Sequence, residues 1–285
     1  MKKRFLMFAL VLVLAIGAFA LVGCGGDDDA ATVSTDGDDT AATASVLRVG
    51  TDPTYAPMEF FDENNEITGF DIDLMRAIAA EMGREVEFVN TGWDEVLLIN
   101  TATDLDMVIS SITIRPDRAE SILFSDPYFV SVQGLAVPVG SDITSPDDFV
   151  EGTKIGVQNG TTGDFTVSEL WSTDEEFDGD PDNIGVEVKR YAGGNEAMLA
   201  MASGEVEAVV LDSPVVEMYT QQDELNATFL GDIADAEIEK FGMGFPLAST
   251  ELAAEVNAAL AKVIASGKYA EIYAKWFEGA TPVMP

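Results

Sequence analysis

Histidine is absent from all 285 residues, and cysteine occurs once, at Cys24. Without histidine the chain lacks the commonest general base near neutral pH and the commonest nitrogen ligand for metals. A single cysteine can neither close a disulfide within the chain nor build a thiolate metal site. Positive charge is scarce as well: 15 Lys and Arg stand against 51 Asp and Glu, a net charge of −36. Such a chain repels phosphate backbones, which excludes nucleic acid as a partner. The carboxylates do not make a metal loop either. Asp178-Gly-Asp-Pro-Asp182 alternates as a calcium loop does, but it has no glycine at the sixth position and Lys189 at the twelfth, where a bidentate glutamate belongs. It reads as an acidic loop, and no metal or cofactor is expected.

The N-terminus carries an address. Lys2, Lys3 and Arg4 precede an apolar run from Phe5 to Ala20, and Leu21-Val-Gly-Cys24 closes it. A basic start, a short apolar stretch and small residues before a cleavage point make a secretory signal over residues 1–23. The run of about 16 residues falls short of the roughly 20 needed to span a bilayer. Residues 24–45 hold six aspartates and no aromatic residue. They cannot build a core, and they read as an acidic flexible tether.

From Val46 the pattern changes to short β-rich runs alternating with helical ones. Leu47–Gly50, a helix near Asp71–Met82, Val86–Val89 and Met107–Ser110 make one series. Lys154–Val157, Gly185–Arg190, a helix Glu196–Ala202 and Glu207–Leu211 make a second. This alternation predicts βαβ units with largely parallel strands, in two α/β lobes. The C-terminus predicts two helices. Ser249 or Thr250 caps the first and Gly267 ends it; Tyr269, Ile272, Tyr273 and Trp276 form the buried face of the second.

Several motifs occur in order: Arg48-Val-Gly-Thr-Asp-Pro-Thr-Tyr-Ala-Pro-Met-Glu-Phe60, Gly69-Phe-Asp-Ile-Asp-Leu74, Trp93-Asp94, Ile112-Thr-Ile-Arg-Pro-Asp-Arg118, Phe124-Ser-Asp-Pro-Tyr128 and Tyr269-Ala-Glu-Ile-Tyr-Ala-Lys-Trp-Phe277. Together they resemble the polar amino-acid branch of the bacterial extracellular solute-binding proteins, family 3, and Leu21–Cys24 resembles a lipobox. The resemblance implies a two-lobed, periplasmic-binding-protein-like fold of type II, with two hinge crossings and the ligand in the cleft between lobes. Lobe 1 would comprise residues 46–130 and 238–285, and lobe 2 residues 133–234, with crossings near Val130–Val132 and Asp232–Glu239. It further implies lipidation of Cys24, an extracytoplasmic place on the membrane's outer face, a monomer, and a permease of an ABC importer as partner.

The expected site follows from what an amino acid offers. Arg118, whose planar fork matches a carboxylate, is expected to hold the ligand's carboxylate. Its competing reading is a surface arginine paired with Asp117 or Glu120. Gly160-Thr161-Thr162-Gly163 sits at a helix start, where backbone N–H groups favour an anion. The resemblance puts the hydroxyl and amide of Thr162 on the same carboxylate; a plain helix cap is the alternative. By resemblance Asp212 takes the α-ammonium with Ser111 and Thr113, and the competing reading is again an N-cap. Ser110, Thr161 and Gln158 complete the expected lining. Tyr55 and Trp93 would flank the side chain, read as loop aromatics after strands. Asp52 at the mouth favours arginine, lysine, ornithine, histidine or glutamine and disfavours acidic ligands. A competing class is a dehydratase acting on arogenate or prephenate on the same fold, which needs an acid–base pair in the cleft.

Overall fold

A computed structural model describes residues 46–101, 104–175 and 179–277. The signal segment, Cys24 and the tether lie outside the described residues. β1 (Val46–Thr51) leads through β2 (Thr54–Tyr55), β3 (Glu59–Phe61) and β4 (Ile67–Thr68) into α1 (Phe70–Glu81). β5 (Glu85–Asn90), α2 (Trp93–Leu97), β6 (Met107–Val108) and β7 (Leu123–Phe124) follow. The chain crosses on β8 (Phe129–Ser131) to β9 (Gln133–Pro138), β10 (Lys154–Gln158), α3 (Thr162–Trp171), β11 (Glu187–Tyr191), α4 (Gly194–Ala202), β12 (Ala208–Asp212), α5 (Ser213–Thr220) and β13 (Ala227–Asp232). It returns on β14 (Glu239–Phe241), adds β15 (Gly244–Phe245), and continues into α6 (Thr250–Ala265) and α7 (Lys268–Trp276).

Two five-stranded sheets result, ordered β5-β1-β6-β15-β7 and β11-β10-β12-β9-β13. In each, four strands run in one direction and the fourth in order, β15 or β9, runs against them. The two crossing strands pair with each other, Glu239 opposite Ser131 and Phe241 opposite Phe129. Strand alternation sorts side chains between faces. On β12, Val209 and Leu211 pack into the larger core with α4, while Ala208 and Val210 face the opposite core with α3. On the first sheet, Met107 joins the core under α1 and α6, and Val108 packs with Trp93, Val96 and Ile99. Burial on both faces is why these strands read as continuous apolar runs.

Helix α1 carries Phe70, Leu74, Met75 and Ile78, all 0 % exposed. Fully burying each aliphatic side chain of that stripe contributes about 1.5–3 kcal/mol. The helix starts where it does because Gly69 has φ +136°, and a Cβ there would lie 2.1 Å from the Met58 carbonyl oxygen. Only glycine allows that approach, which sets the start of α1 against β3.

Three local expectations differ from the fold. The strand expected to reach Ser110 ends at Val108, because the next residues turn to direct their polar groups inward. Ser249 occupies the cap position of α6 without a side-chain cap bond. On α7, Tyr269 and Ile272 are buried, whereas Tyr273 and Trp276 are half-buried and lie along the edge of the core. Among the described residues no helix is long and apolar enough to cross a membrane, and no cluster of three metal-ligating side chains occurs. Asp178 lies outside the described residues.

Candidate functional site

Parallel strands of both sheets end on one cavity. Ligand crevices in α/β folds lie beyond the carboxyl ends of parallel strands, because loops there are free of sheet geometry. β1 ends into Asp52, β6 into Ser110 and Ser111, β10 at Gln158 and β12 at Asp212. The cavity is lined by Asp52, Tyr55, Trp93, Ser110, Ser111, Thr113, Arg118, Gln158, Thr161, Thr162 and Asp212. Every residue put forward for it from the sequence is in that wall, from both lobes, together with one that was not, Glu59. Placement differs from expectation in one respect: Trp93 opens a short helix and Tyr55 lies in a short strand, so neither is a loop residue.

Arg118 is 7 % exposed. It is not the surface ion pair of the competing reading: Asp117 pairs with Arg115 at 2.9 Å instead. Among the described residues no carboxylate lies within 4 Å of the Arg118 guanidinium. It donates to the carbonyl oxygens of Thr113 and Gly160, each at 3.2 Å. Its guanidinium lies 5.3 Å from the centre of the Trp93 ring. Burial, with Arg115 nearby, pulls its pKa down to about 10, still cationic at neutral pH. A buried cation whose hydrogen bonds go only to carbonyls, with Glu239, Asp117 and Asp212 acting on it from farther off, has unspent capacity for an anion. The start of α3 adds to this. Thr161 is the residue that caps it, accepting from Asp164 N–H at 3.3 Å. Thr162, the first helical residue, is thereby free of capping.

The opposite wall is anionic. Asp212 stands at the cap position of α5 yet makes no cap bond; its side chain turns into the cavity. Oδ2 accepts from the Tyr55 hydroxyl at 2.6 Å, and Oδ1 is buried without a hydrogen-bond partner among the described residues. Burial, reinforced by Glu239, raises its pKa to about 7. Asp52 accepts from Gln158 Nε2 at 2.9 Å, and burial raises it to about 6. Gln158 Nε2 also donates to the Ala192 carbonyl at 3.2 Å. With its amide nitrogen committed to two acceptors, Gln158 presents its oxygen as a further acceptor. Beyond Asp52 a second, wider cavity opens, lined by Asp94, Glu95 and Glu196 among others. Asp52, Trp93 and their neighbours in this direction therefore offer rings and hydrogen-bond acceptors, a surround suited to a donor-rich or cationic group.

Two buried glutamates bond to residues of the wall, Glu59 from within it and Glu239 from outside it, and sequence reasoning missed both. Glu59 accepts from Ser110 Oγ at 2.9 Å and from Ser111 Oγ at 3.3 Å. Glu239, on the returning crossing strand, accepts from Thr162 Oγ1 at 2.8 Å, Gln133 Nε2 at 2.8 Å and the Thr113 hydroxyl. The Thr162 hydroxyl proton is thus committed to Glu239, leaving its backbone N–H toward the cavity. The available signal was a carboxylate set among apolar residues, Met58-Glu-Phe and Ile238-Glu-Lys-Phe, in stretches too short for a solvated face.

A cleft with a cation that no carboxylate directly pairs on one side, among the described residues, and carboxylates on the other defines a receptor for a small solute bearing both charges. Residues 47–279 match the bacterial extracellular solute-binding proteins, family 3, and the chain belongs to that family. A protein of Neisseria gonorrhoeae named as a probable histidine-binding protein is 34 % identical over 269 residues, covering 94 % of each chain. The crystal structure of the arginine-, lysine-, histidine-binding protein ArtJ of Geobacillus stearothermophilus superposes with a TM-score of 0.73 at 36 % identity, over 84 % of this chain and 97 % of that one. An ancestral amino acid-binding protein described as a precursor of cyclohexadienyl dehydratase superposes with a TM-score of 0.70 at 35 % identity, over 82 % and 96 %.

Proposed function

We propose that this chain captures a polar amino acid, with basic amino acids and glutamine favoured, and delivers it to the permease of an ABC importer. The observation that carries this reading is Arg118, a buried guanidinium without a carboxylate partner among the described residues, facing a cavity whose far wall holds Asp212 and Asp52. Arg118 and the N–H groups at the start of α3 take the ligand carboxylate. Asp212, with oxygen atoms of Ser110, Ser111 and Thr113, takes the α-ammonium. The side chain passes between Tyr55 and Trp93 toward Asp52 and Gln158, whose acceptors select a donor-bearing end. The names of the relatives, which specify histidine, arginine or lysine, support this assignment.

The lobes in this reading are residues 46–130 with 238–285, and 133–234, hinged on β8 and β14. Ligand bridging both lobes favours the closed form, because only that form satisfies Arg118 and Asp212 together. The chain acts outside the cytoplasmic membrane, as a monomer anchored through lipid on Cys24. It is a receptor and not an enzyme. The dehydratase alternative is favoured by one observation, the acid pair Glu59 and Asp71 beside the cavity, both held above the ordinary carboxylate range by burial.

A thermal-shift screen against the twenty amino acids, ornithine, citrulline, arogenate and prephenate tests both readings. A saturating ligand raises the midpoint by several degrees. A response to basic amino acids or glutamine without turnover is the expected result. Conversion of arogenate or prephenate would establish the enzyme, and silence across all amino acids would remove the receptor reading.

A further inference from the structure

We infer that Glu59 is a positioning residue that fixes the polarity of the cavity wall, turning Ser110 and Ser111 into obligate acceptors for an α-ammonium group. The inference rests on the amino-acid reading above. Glu59 is 1 % exposed on β3, and it lies between the two serines and Asp71. A hydroxyl has one proton and two lone pairs, so its direction is set by whatever takes the proton. Glu59 Oε1 takes that of Ser110 and Oε2 that of Ser111. With both protons drawn behind the wall, lone pairs are what the serines show to the cavity.

The serines are themselves held in place. Ser110 Oγ accepts from the Asp52 N–H at 3.0 Å. Ser111 N–H donates to Asp71 Oδ2 at 2.9 Å, and Ser111 has φ +50°. A left-handed backbone at a residue other than glycine persists where surrounding contacts over-determine it, and such residues cluster at ligand clamps. Asp71, 0 % exposed, also accepts from the Tyr128 hydroxyl at 2.7 Å. Burial pushes both Glu59 and Asp71 upward, and the neighbouring Asp71 carboxyl raises Glu59 further. A proton that Glu59 shares toward Asp71 still leaves a lone pair on each Glu59 oxygen, so each can accept from its serine.

A wall of fixed acceptors discriminates by chemistry at the α-carbon. An ammonium donates to each oxygen it meets, whereas an α-hydroxyl has a single proton and leaves acceptors facing one another. The experiment measures affinity of the full-length chain for L-arginine, L-lysine, L-histidine and L-glutamine, each beside its α-hydroxy counterpart, by calorimetry. Glu59→Met removes the acceptors while keeping the volume, so both serines can turn their protons inward. The expected result is a fall of about 10- to 100-fold in the preference for amino acid over hydroxy acid, the worth of one or two hydrogen bonds to a charged group. Glu59→Gln keeps one acceptor oxygen and should fall between wild type and Glu59→Met.

An unchanged preference in Glu59→Met overturns the inference. Should that variant fail to fold, Glu59→Gln decides: an unchanged preference there overturns it, and a partial loss supports it. A merely structural glutamate would weaken both ligands of a pair alike. If the wild-type chain binds none of the four amino acids, the amino-acid reading itself fails, a result distinct from binding with an unaltered preference.

Discussion

The Tyr55 hydroxyl meets Asp212 across the cleft, donating to Oδ2 at 2.6 Å and accepting from the Asp212 N–H at 3.1 Å, although 157 positions separate them in sequence. One residue ends β12 in the second sheet and the other lies in β2 of the first lobe. The contact ties the lobes directly, and it leaves Asp212 Oδ1 buried beside the cavity without a hydrogen-bond partner among the described residues.

Tyr55→Phe keeps the ring and removes this tie. The ligand-free chain should then populate more open forms, seen as a larger radius of gyration in small-angle scattering. Affinity should weaken by about 3- to 10-fold, the worth of one buried hydrogen bond. An unchanged scattering profile would mean that the tie does not hold the lobes together.

Arg118→Gln should lower affinity at least about 100-fold, since a charge-assisted pair to the ligand carboxylate is lost. The ligand-free midpoint should hold or rise, because the arginine is a buried cation without a carboxylate partner among the described residues. Calorimetry and thermal denaturation of the same variant read the two effects separately.

Asp52→Asn keeps an oxygen that can accept from Gln158 and removes the negative charge. Binding of arginine or lysine should weaken about tenfold more than binding of glutamine. Competition calorimetry with the three ligands gives that ratio. Equal losses for all three would take the side-chain role away from Asp52.

Asp212 and Asp52, raised to about 7 and about 6 by burial, give opposite pH dependences for stability and binding. Between roughly pH 4 and 7 the folded state holds protons at these groups that the unfolded chain has released, so they make the ligand-free midpoint rise as pH falls through that window. A cationic ligand needs both groups ionised. The midpoint gain from ligand should therefore be full near pH 8 and shrink as pH falls through 7 and 6. Asp212→Asn should flatten the part of both slopes that belongs to it, which separates it from the general relief of charge repulsion. A ligand gain constant from pH 5 to 8.5 would exclude this coupling.

Much of the framework was readable along the chain, because it is encoded by local periodicity. The α1 stripe of Leu74 and Ile78, the apolar β12 run and Gly267 after α6 each signal an element without reference to distant residues. The short hairpin strands β2–β4 carried no such period and were not foreseen. At the site, Arg118 and Asp212 each had a functional and a bland reading in the sequence, and the resemblance favoured the functional one for both. In the fold Asp117 turns to Arg115, and Asp212 makes no cap bond, neither of which the sequence could show. At Thr162 the capping role went to the neighbour Thr161, and the hydroxyl went to Glu239. Glu59 and Glu239 escaped notice because a carboxylate set among apolar residues hints at burial but does not say which distant groups it will bond.

The sequence by itself determined what this protein excludes and the order of its elements. Missing histidine, a single cysteine and a surplus of carboxylates are facts of composition, and βαβ rhythm is a fact of local patterning. The tertiary structure decided which charges are buried, which are paired and which way each hydroxyl points. Those properties belong to no residue alone. Burial depends on both lobes closing over Arg118, and the direction of Ser110 and Ser111 depends on Glu59, which meets them from about 50 positions away although its strand β3 belongs to a different sheet from β6.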